Sequence, residues 1–477
     1  MAIDNILEIG RSGLLAQQEA MQTTSNNISN VNTKNYSRQR AELNARGANT
    51  NFGWRASGGG VDVGRTIRIH DQFIQRQVLE ESKAFGSLKA RTESLDRIEG
   101  IAHHGLTDLS ERANEFFSNF RELSLNPELP ALRVAVKESA VNLTDGFRKT
   151  ADSLENLRNE TDLRIAATVD EVNLRAQELA ELNRRITGVP ANQEPPHELM
   201  DRRDGVVADL SKMLGVSVSY DERNTMNIVI PGVGILVHGA EFNELSTSRT
   251  PGKDADHSGN IDLFLKTSGG FQYATRGIPE GELGGLLKVR DETITSTLES
   301  LDRVAHSFMK KVNEIHRGAS GLDWDSDFAG DFFETQESPE GAAFAMKLNG
   351  ALEKDPSLIM IGYESDAPSD NRVALEIAGL QDDRFVFEGE GVNKASTLNE
   401  SINSIISAIA SQTHGSRQIF AHQGEILDQL ENYQKSVSGV SLEEEAVNMM
   451  QYQAAFNAAA KTMHAGDEML ETILNLV

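Results

Sequence analysis

The chain has 477 residues, 39% hydrophobic and 25% charged, a balance typical of globular protein with buried cores. Its 46 basic and 72 acidic residues give a net charge of −26, which argues against bulk binding to nucleic acid or anionic membranes. Cysteine is absent, which excludes disulfides, thiolate zinc sites and cysteine nucleophiles.

The N-terminal residues do not predict a cleaved signal peptide. Residues 1–20 contain acids and glutamines and no continuous apolar run. No stretch reaches the roughly 18 apolar residues that a membrane span requires. We therefore expect a protein that stays in the cytosol or is exported without a cleaved signal, and no membrane insertion.

The first predicted element is an amphipathic helix with a thin apolar seam. Leu7, Leu14, Met21 and Ile28 recur every seven residues, a spacing that calls for a partner helix. The companion positions are mixed: Ile3, Gly10, Gln17, Thr24 and Val31. The helix ends in an amide-rich run that contains Asn26, Asn27, Asn30, Asn32 and Asn35. Asparagine tolerates left-handed backbone geometry, so Asn30 and Asn32 are predicted to stop the helix.

Residues 36–70 change character and predict an extended hairpin linker. Glycine is frequent, and "VDVGRTIRI" alternates as a strand does. Basic residues outnumber Glu42 and Asp62 in and next to this segment: Lys34, Arg38, Arg40, Arg46, Arg55, Arg65 and Arg68. The segment could meet the acidic surface of a neighbouring copy, or it could be a solvated hairpin.

The middle of the chain predicts a helical body with β insertions. Helical periodicity covers residues 71–215, 281–320 and 393–439, with Pro127 and Pro130 at one turn. Residues 216–280 have period two and predict a β-rich outer domain, and residues 321–392 are mixed and loop-rich. In the last long helix, one face is predicted to carry Ile402, Ile405, Ile409, Ile419, Ile426, Leu430 and Tyr433.

The C-terminal segment has the cleanest seven-residue repeat. The repeat runs through Leu442, Met449, Phe456, Met463, Leu470 and Val477, with Tyr452, Ala459 and Ile473 between and Glu445 and Gly466 as breaks. Ser441 is predicted to cap this helix. Residues 1–35 and 440–477 are therefore predicted to pair as a terminal coiled coil, which makes the domains discontinuous and the fold mainly α, multidomain and elongated. The seam could stabilise one monomer or be shared between subunits.

No constellation predicts catalysis or a metal site. His103 and His104 are adjacent and point about 100° apart on a helix. Asp323, Asp325, Asp327 and Glu334 follow a calcium-loop spacing, but Phe328 replaces the required glycine, which favours an acidic turn. We expect no enzyme and no cofactor.

Both ends of the chain resemble one group of families. "SNNISNVNTKNYSRQ", from Ser25, resembles the N-terminal motif shared by bacterial flagellar axial proteins, which are the rod, hook and hook-associated proteins. Residues 439–477 resemble their C-terminal motif. Within these families, residues 198–218, 301–333 and 443–463 are similar to the hook-associated proteins of the hook–filament junction.

The resemblance implies a structural role in the extracellular bacterial flagellum. It implies export by the flagellar secretion apparatus and assembly as a ring of copies on the hook. The implied partners are hook protein, the second hook–filament junction protein, and an export chaperone that binds the C-terminal helix. The alternatives are another axial protein, from the hook or the distal rod, and a coiled-coil scaffold or adhesin unrelated to flagella.

In this interpretation two sets of residues form the assembly interface. The N-terminal set is Ile3, Leu7, Leu14, Met21, Asn26, Asn27, Ile28, Asn30, Asn32 and Tyr36. The C-terminal set is Leu442, Met449, Tyr452, Phe456, Ala459, Met463, Leu470, Ile473 and Val477. We expect six residues of the C-terminal set to bury against five of the N-terminal set: Leu442, Met449, Phe456, Met463, Leu470 and Val477 against Ile3, Leu7, Leu14, Met21 and Ile28. The amides other than Asn30 and Asn32, together with Tyr36, are expected to bond with adjacent subunits. Because the N-terminal seam is thin, the two ends are expected to fold on assembly.

Overall fold

The structure is a computed structural model of the full chain. It describes residues 2–47, 58–190, 193–221, 225–249, 259–319, 330–334, 336–364, 367, 369–387 and 395–475, without the side chains of residues 2–4, 385 and 386.

The described chain is mainly helical. The helices are α1 (Ala2–Ser29), α2 (Gln72–Leu125), α3 (Pro130–Thr187), α4 (His197–Met213), α5 (Gly281–Lys288), α6 (Thr295–Arg317), α7 (Ala342–Ala345), α8 (Gly350–Lys354), α9 (Arg372–Gly379), α10 (Leu398–Ser438) and α11 (Leu442–Leu474). A π-helical segment, Val289–Ile294, joins α5 to α6, and short 3-10 turns occur at Thr275–Gly277 and Pro356–Leu358.

The strands form five small antiparallel sheets in the described residues. Two pairs are β1 (Gln39–Ala45) with β2 (Val61–Arg68), and β10 (Phe333–Glu334) with β11 (Lys347–Leu348). A third is β12 (Phe385–Val386) with β13 (Ala395–Ser396). The four-stranded sheet is β3 (Ser217–Tyr220), β4 (Met226–Ile230), β5 (Gly234–His238) and β6 (Glu241–Phe242), and the three-stranded sheet is β7 (Glu244–Ser248), β8 (Asp262–Thr267) and β9 (Gly270–Tyr273). The predicted fold class, mainly α with β insertions, is confirmed.

Local signals explain where the long helices begin. The Asp71 carboxylate accepts hydrogen bonds from the first-turn backbone of α2, and Pro130 occupies the first turn of α3, where its missing N–H costs nothing. Thr397 and Glu400 form a capping box at α10. The Ser441 hydroxyl accepts from the Glu444 N–H at the start of α11, which confirms its predicted capping role.

The largest core lies among α2, α3, α6 and α10. Its centre is a cluster of phenylalanines on four segments of the chain: Phe116, Phe117, Phe120, Phe147, Phe308, Phe332 and Phe333. Neighbouring rings pack edge to face, as for Phe116 and Phe308, whose centroids are 5.8 Å apart. Helices α7 to α9 add apolar residues to the same core, so part of the segment predicted as loop-rich is packed against the helical body.

A second core joins helices to sheets. The C-terminal half of α3, α4 and α5 contribute to it, as do β4, β5, β7 and β8. The β-rich segment therefore shares a core with the helical body. The domain limits given above stay a prediction.

The predicted apolar face of α10 is buried only in its N-terminal part. Ile402, Ile405 and Ile409 are buried on α10, but Ile419 and Tyr433 are 56% and 58% exposed. The C-terminal half of α10 packs mainly against α2, through Leu427 on Ile74 and Val78, and this narrow two-helix contact covers only one side of it.

Candidate functional site

The terminal helices α1 and α11 pack together in antiparallel orientation. A Cβ added at Gly10 would lie 2.8 Å from the Cγ of Met463, and one added at Gly466 would lie 2.9 Å from the Cδ2 of Leu7. The two glycines thus let the helices approach closely near the chain ends. The predicted pairing of the ends is present in the single chain.

The buried face of α1 differs from the predicted seam. Leu7, Leu14, Met21 and Ile28 are only half-buried. The buried positions carry small or polar residues: Gly10, Ser12, Ala16, Ala20, Thr23, Thr24 and Asn27. The reason is that α1 packs against β1 and β2 as well as against α11, and the Ser12 hydroxyl accepts a hydrogen bond of 3.2 Å from the Val61 N–H.

The buried face of α11 also differs from the prediction. Met449, Tyr452, Phe456, Ala459 and Met463 are half-buried, whereas Leu442, Leu470 and Ile473 are exposed. Glu445 and Gly466, predicted as breaks in the repeat, are the buried residues of this helix. The expectation that Leu442 and Leu470 bury against the N-terminal helix is wrong for the single chain, because α1 does not cover them. The side chain of Ile3 and all of Val477 lie outside the described residues.

Asn27 is the centre of a polar network where the terminal helices meet the linker. Its amide nitrogen donates to the Gln39 carbonyl at 2.8 Å and to Glu445 at 3.1 Å. Its amide oxygen accepts from the Tyr36 hydroxyl and the Gln39 N–H, both at 2.9 Å. This buried amide therefore uses its full hydrogen-bonding capacity within the chain.

Glu445 completes the network from α11. Its carboxylate is 2% exposed and lies 2.6 Å from the Arg38 Nε, while Arg38 Nη1 lies 2.8 Å from Glu444. A buried carboxylate needs such a partner to offset its lost hydration. We call Asn27, Tyr36, Arg38, Gln39 and Glu445 the Asn27 network.

The linker is also anchored to α4. Arg68 pairs with Asp201 at 3.1 Å and with Asp204, and Asp201 accepts from the Ser37 N–H at 3.2 Å. Burial raises the pKa of Asp201. Burial, with the charges of Asp201 and Glu445 nearby, also raises the pKa of Tyr36 to about 12. Two of the linker's basic residues, Arg38 and Arg68, are therefore bound to acids of their own chain.

The remaining asparagines differ in their roles, and α1 ends at Ser29, directly before Asn30. Asn30 donates to the backbone and side-chain oxygens of Asn26, which closes the turn after α1. The left-handed residue is Asn35, with φ of 64°, the one non-glycine residue with positive φ in the described part of the chain. Asn26 and Asn32 are exposed. Asn27 has no hydrogen-bonding group left for an adjacent subunit, because its amide is fully used within the chain. A bond from Tyr36 to an adjacent subunit stays a prediction.

The terminal pair leaves an apolar surface uncovered. Val447, Met450, Met469 and Ile473 on α11 are 48%, 61%, 51% and 51% exposed, and Leu474 is 68% exposed. We call these five residues, three on the side of α11 away from α1 and two in its last turn, the outer face of α11. Large apolar side chains left exposed on one helix are candidates for contact with a neighbouring molecule.

The described residues show no arrangement for metal or membrane chemistry. No group of three or more metal-ligating side chains occurs among them. His103 and His104 are exposed, with ring centroids 5.6 Å apart. Asp323, Asp325 and Asp327 of the acidic turn lie outside the described residues. No described helix is long and apolar enough to cross a membrane.

Family models match three parts of the chain. The model described as the flagellar hook-associated protein FlgK helical domain matches residues 95–333. A model of the flagella basal body rod protein matches residues 7–36, and one of the flagellar basal body rod FlgEFG protein C-terminal region matches residues 435–476. The two rod models thus fall on α1 with its asparagine turn and on α11.

Relatives and a solved structure agree with these matches. The chain is 26% identical to flagellar hook-associated protein 1 of Escherichia coli, over 99% of this chain and 100% of the relative. It is 25% identical to the protein of the same name from Bacillus subtilis, over 98% and 97%. The fold is similar to the flagellar hook junction protein FlgK from Burkholderia pseudomallei, with a TM-score of 0.65 and 14% identity, over 76% of this chain and 100% of that one.

Sequence reasoning missed Glu445, Arg38 and Asp201. A signal for Glu445 was present, because a carboxylate inside an apolar repeat must find a cation or a donor. The excess of basic residues after α1 supplies that cation. Nothing in the sequence indicated that α4 would supply the acids for Arg68.

Proposed function

The chain belongs to the family of the flagellar hook-associated protein FlgK, and on that premise we propose that copies of it form a closed ring at the hook–filament junction. The chain is a structural protein of the bacterial flagellum with a role at this junction. The family implies a non-enzymatic role, a location in the flagellum and contact with other flagellar components.

One observation supports assembly through the chain ends. The Asn27 network and Arg68 fasten the terminal pair to the body, while the outer face of α11 stays apolar and exposed. Burial of such residues yields roughly 25 cal/mol per Å² of apolar surface removed from water. The outer face can therefore gain from burial against a neighbour, and exposed Leu442 and Leu470 can gain in the same way.

The specific partners are part of the proposal. Hook protein would contact the ring on one side and the second hook–filament junction protein on the other. Before export through the flagellar secretion apparatus, without a cleaved signal peptide, a chaperone would cover the C-terminal helix.

Co-sedimentation with isolated hooks tests the proposal. We expect the full chain to pellet with hooks, and Met450→Glu combined with Ile473→Glu to reduce the pelleted fraction about tenfold or more, because charge on a buried apolar contact is strongly unfavourable. Leu163→Glu with Leu174→Glu is the matched control, since both leucines are exposed on α3, at 68% and 60%.

Three outcomes are informative. A chain without residues 442–477 should stay in the supernatant. If the full chain binds filaments or rods in preference to hooks, its place in the flagellum is different from the one proposed. If the α3 control loses binding as strongly as the α11 variant, the outer face of α11 is not the assembly surface.

The alternative of a rod or hook protein has a specific observation in its favour. Rod-protein models match both ends of the chain, at residues 7–36 and 435–476. These matches cover elements that the axial families share, whereas the model for residues 95–333 is that of the FlgK helical domain. Loss of filaments with intact hooks after gene deletion would support the junction role, and loss of hooks would support the alternative.

A further inference from the structure

One face of α6 binds main-chain groups of the segments packed against it. Asn313 and His316 are three residues apart, which places them on the same face of the helix, and each is 1% exposed. The Asn313 amide donates to the Phe333 carbonyl at 2.8 Å and accepts from the Phe333 N–H at 2.9 Å. These two bonds hold Phe333 on α6 through a side chain that does not titrate.

His316 joins two further segments to α6. Its Nδ1 lies 2.9 Å from the Gly330 carbonyl oxygen, and its Nε2 lies 3.2 Å from the Met360 nitrogen. A carbonyl only accepts and a backbone N–H only donates, so Nδ1 carries the proton and Nε2 is the acceptor. The two bonds together therefore require a neutral imidazole in this one tautomer.

Protonation of His316 would affect its two bonds differently. The Nδ1–H would still donate to Gly330, whereas a proton on Nε2 would face the Met360 N–H, so that two donors would meet. The positive charge would also lie in apolar surroundings, since the Phe332 ring packs edge to face on the imidazole with centroids 5.4 Å apart. The bond to Met360 is therefore the one that protonation breaks.

The charged groups around His316 leave the neutral imidazole favoured. Asp331 is the carboxylate that acts on it, but Arg317 of α6 already binds Asp331, with Nη2 2.8 Å from Oδ2. From α3, Arg133 brings a further positive charge to this region, because it donates to the Ile359 carbonyl.

The titratable groups beyond Met360 are bound to each other. The Tyr363 hydroxyl donates to Glu376 of α9 at 2.5 Å. This bond raises the pKa of Tyr363 to about 12, so its phenol stays neutral in the pH range in which histidines titrate.

The direction of the pH effect follows from the burial of His316. Burial lowers its pKa from the ordinary 6.5, while the bond to Gly330 and the charge of Asp331 raise it and offset burial only in part. The stabilisation from neutral His316 is therefore fully present above pH 6.5 and is lost as the pH falls from 6.5 toward the pKa of the folded state.

We propose that His316 is a pH-dependent contact: in mild acid the segment around Met360 detaches from α6 while Gly330 stays bound. Met360 and its neighbour Ile361 are 3% and 4% exposed, so detachment uncovers apolar surface of the main core. Two N–H groups of the first turn of α9 donate to the Ile361 carbonyl at 3.1 and 3.2 Å, so α9 loosens with this segment. The inference does not depend on the junction role.

Hydrogen exchange at single amides tests the proposal in the full chain. We would compare the Met360 and Phe333 amides at about pH 7.5 and about pH 5.5, with exchange corrected for its pH dependence in unfolded peptides. Protection of Met360 should fall about tenfold, because one pH unit below the ordinary pKa favours the protonated form tenfold. Phe333 is the internal control, since Asn313 holds it.

A variant and a direct titration give further readouts. His316→Gln should abolish the pH response at Met360, because the amide donates and accepts but takes up no proton in this range. His103→Gln, at an exposed histidine of α2, is the matched control and should leave the response unchanged. Exchange of the imidazole C2 proton measures the pKa of His316 in the unmodified chain, so the test stands even where His316→Gln fails to fold.

Four results would overturn the proposal. They are a pKa of His316 at or above 6.5, a Met360 amide whose protection is the same at both pH values, equal loss of protection at Phe333 and Met360, and a pH response that survives in His316→Gln protein. The third result would indicate general acid unfolding. None of these measurements involves hooks, so the junction role is decided separately by co-sedimentation.

Discussion

At the scale of residues, the asparagine-rich turn mainly holds segments of its own chain together through hydrogen bonds. Asn27 bonds to β1, to Tyr36 and to α11, Asn30 closes the turn, and Asn35 supplies the left-handed residue. A buried amide with four partners fixes the relative position of every segment it touches. The turn thus sets where the terminal pair leaves the body.

Replacement of Asn27 by alanine should destabilise the Asn27 network. The change leaves the Gln39 backbone groups and Glu445 without their partner, and an unsatisfied buried polar group costs about 1–3 kcal/mol. Hydrogen exchange in α1 and β1 should therefore accelerate about thirtyfold. Gln22→Ala, an exposed amide in the same helix, is the control and should change exchange little. Equal effects of the two substitutions would contradict the central role of Asn27.

The stability of the Asn27 network should also vary with pH in the alkaline range. The pKa of Tyr36 is raised from 10.0 to about 12, so the folded state favours the neutral phenol. Its contribution is fully present below pH 10.0 and is lost as the pH rises from 10.0 toward about 12. In Tyr36→Phe protein, hydrogen exchange in α1 should be less sensitive to this pH interval. An identical pH profile in both proteins would show that Tyr36 does not carry the effect.

At the scale of elements, close helix contacts depend on glycine at particular places. A Cβ at Gly86 in α2 would overlap the carbonyl oxygen of Lys212 at the end of α4, and one at Gly285 in α5 would overlap the carbonyl oxygen of Ser87. Both overlaps involve backbone, which has no rotamer to move away. These glycines therefore fix how close α2 lies to α4 and α5.

Two glycines of α2 should respond in opposite ways to alanine. Gly86→Ala should lower the free energy of unfolding by about 1–3 kcal/mol, because the added methyl forces α2 and α4 apart. Gly100→Ala should raise it by about 1 kcal/mol, because alanine is the better helix former and no atom lies within 4 Å of the added Cβ. Urea unfolding monitored by helical circular dichroism measures both. Destabilisation by Gly100→Ala would contradict this account.

At the scale of the whole molecule, buried apolar residues are distributed unevenly. The body has two large apolar cores, whereas in α11 the buried residues are Glu445 and Gly466. Regions with few buried apolar contacts open locally at low cost. The terminal pair is thus expected to open more readily than the body.

Hydrogen exchange on the free chain should reveal this difference. We expect amides of α1 and α11 to exchange faster than those around the phenylalanine cluster of α2 and α3, and to become protected when the chain binds hooks. The helices of the body serve as the internal control when exchange is compared between free and hook-bound protein. Strong protection of both ends in the free chain would contradict folding on assembly.

The sequence by itself determined the elements and the family. Seven-residue and two-residue periodicities, prolines and caps located most long helices and the β-rich segment, because these signals act over a few residues. The end motifs indicated the flagellar axial families because each motif also lies within one short stretch of the chain. It also determined that α1 and α11 pair, since both carry the repeat that calls for a partner.

Only the tertiary structure decided which residues the pairing buries. The hairpin packs on α1, so small residues occupy its interior, and Glu445 is buried because Arg38 and Asn27 reach it from segments more than 400 positions away in the chain. The tertiary structure also places Arg68 against α4 and leaves Ile419 and Tyr433 exposed. Burial depends on which segments of the chain pack against a surface. The periodicity of one helix does not indicate which segments those are.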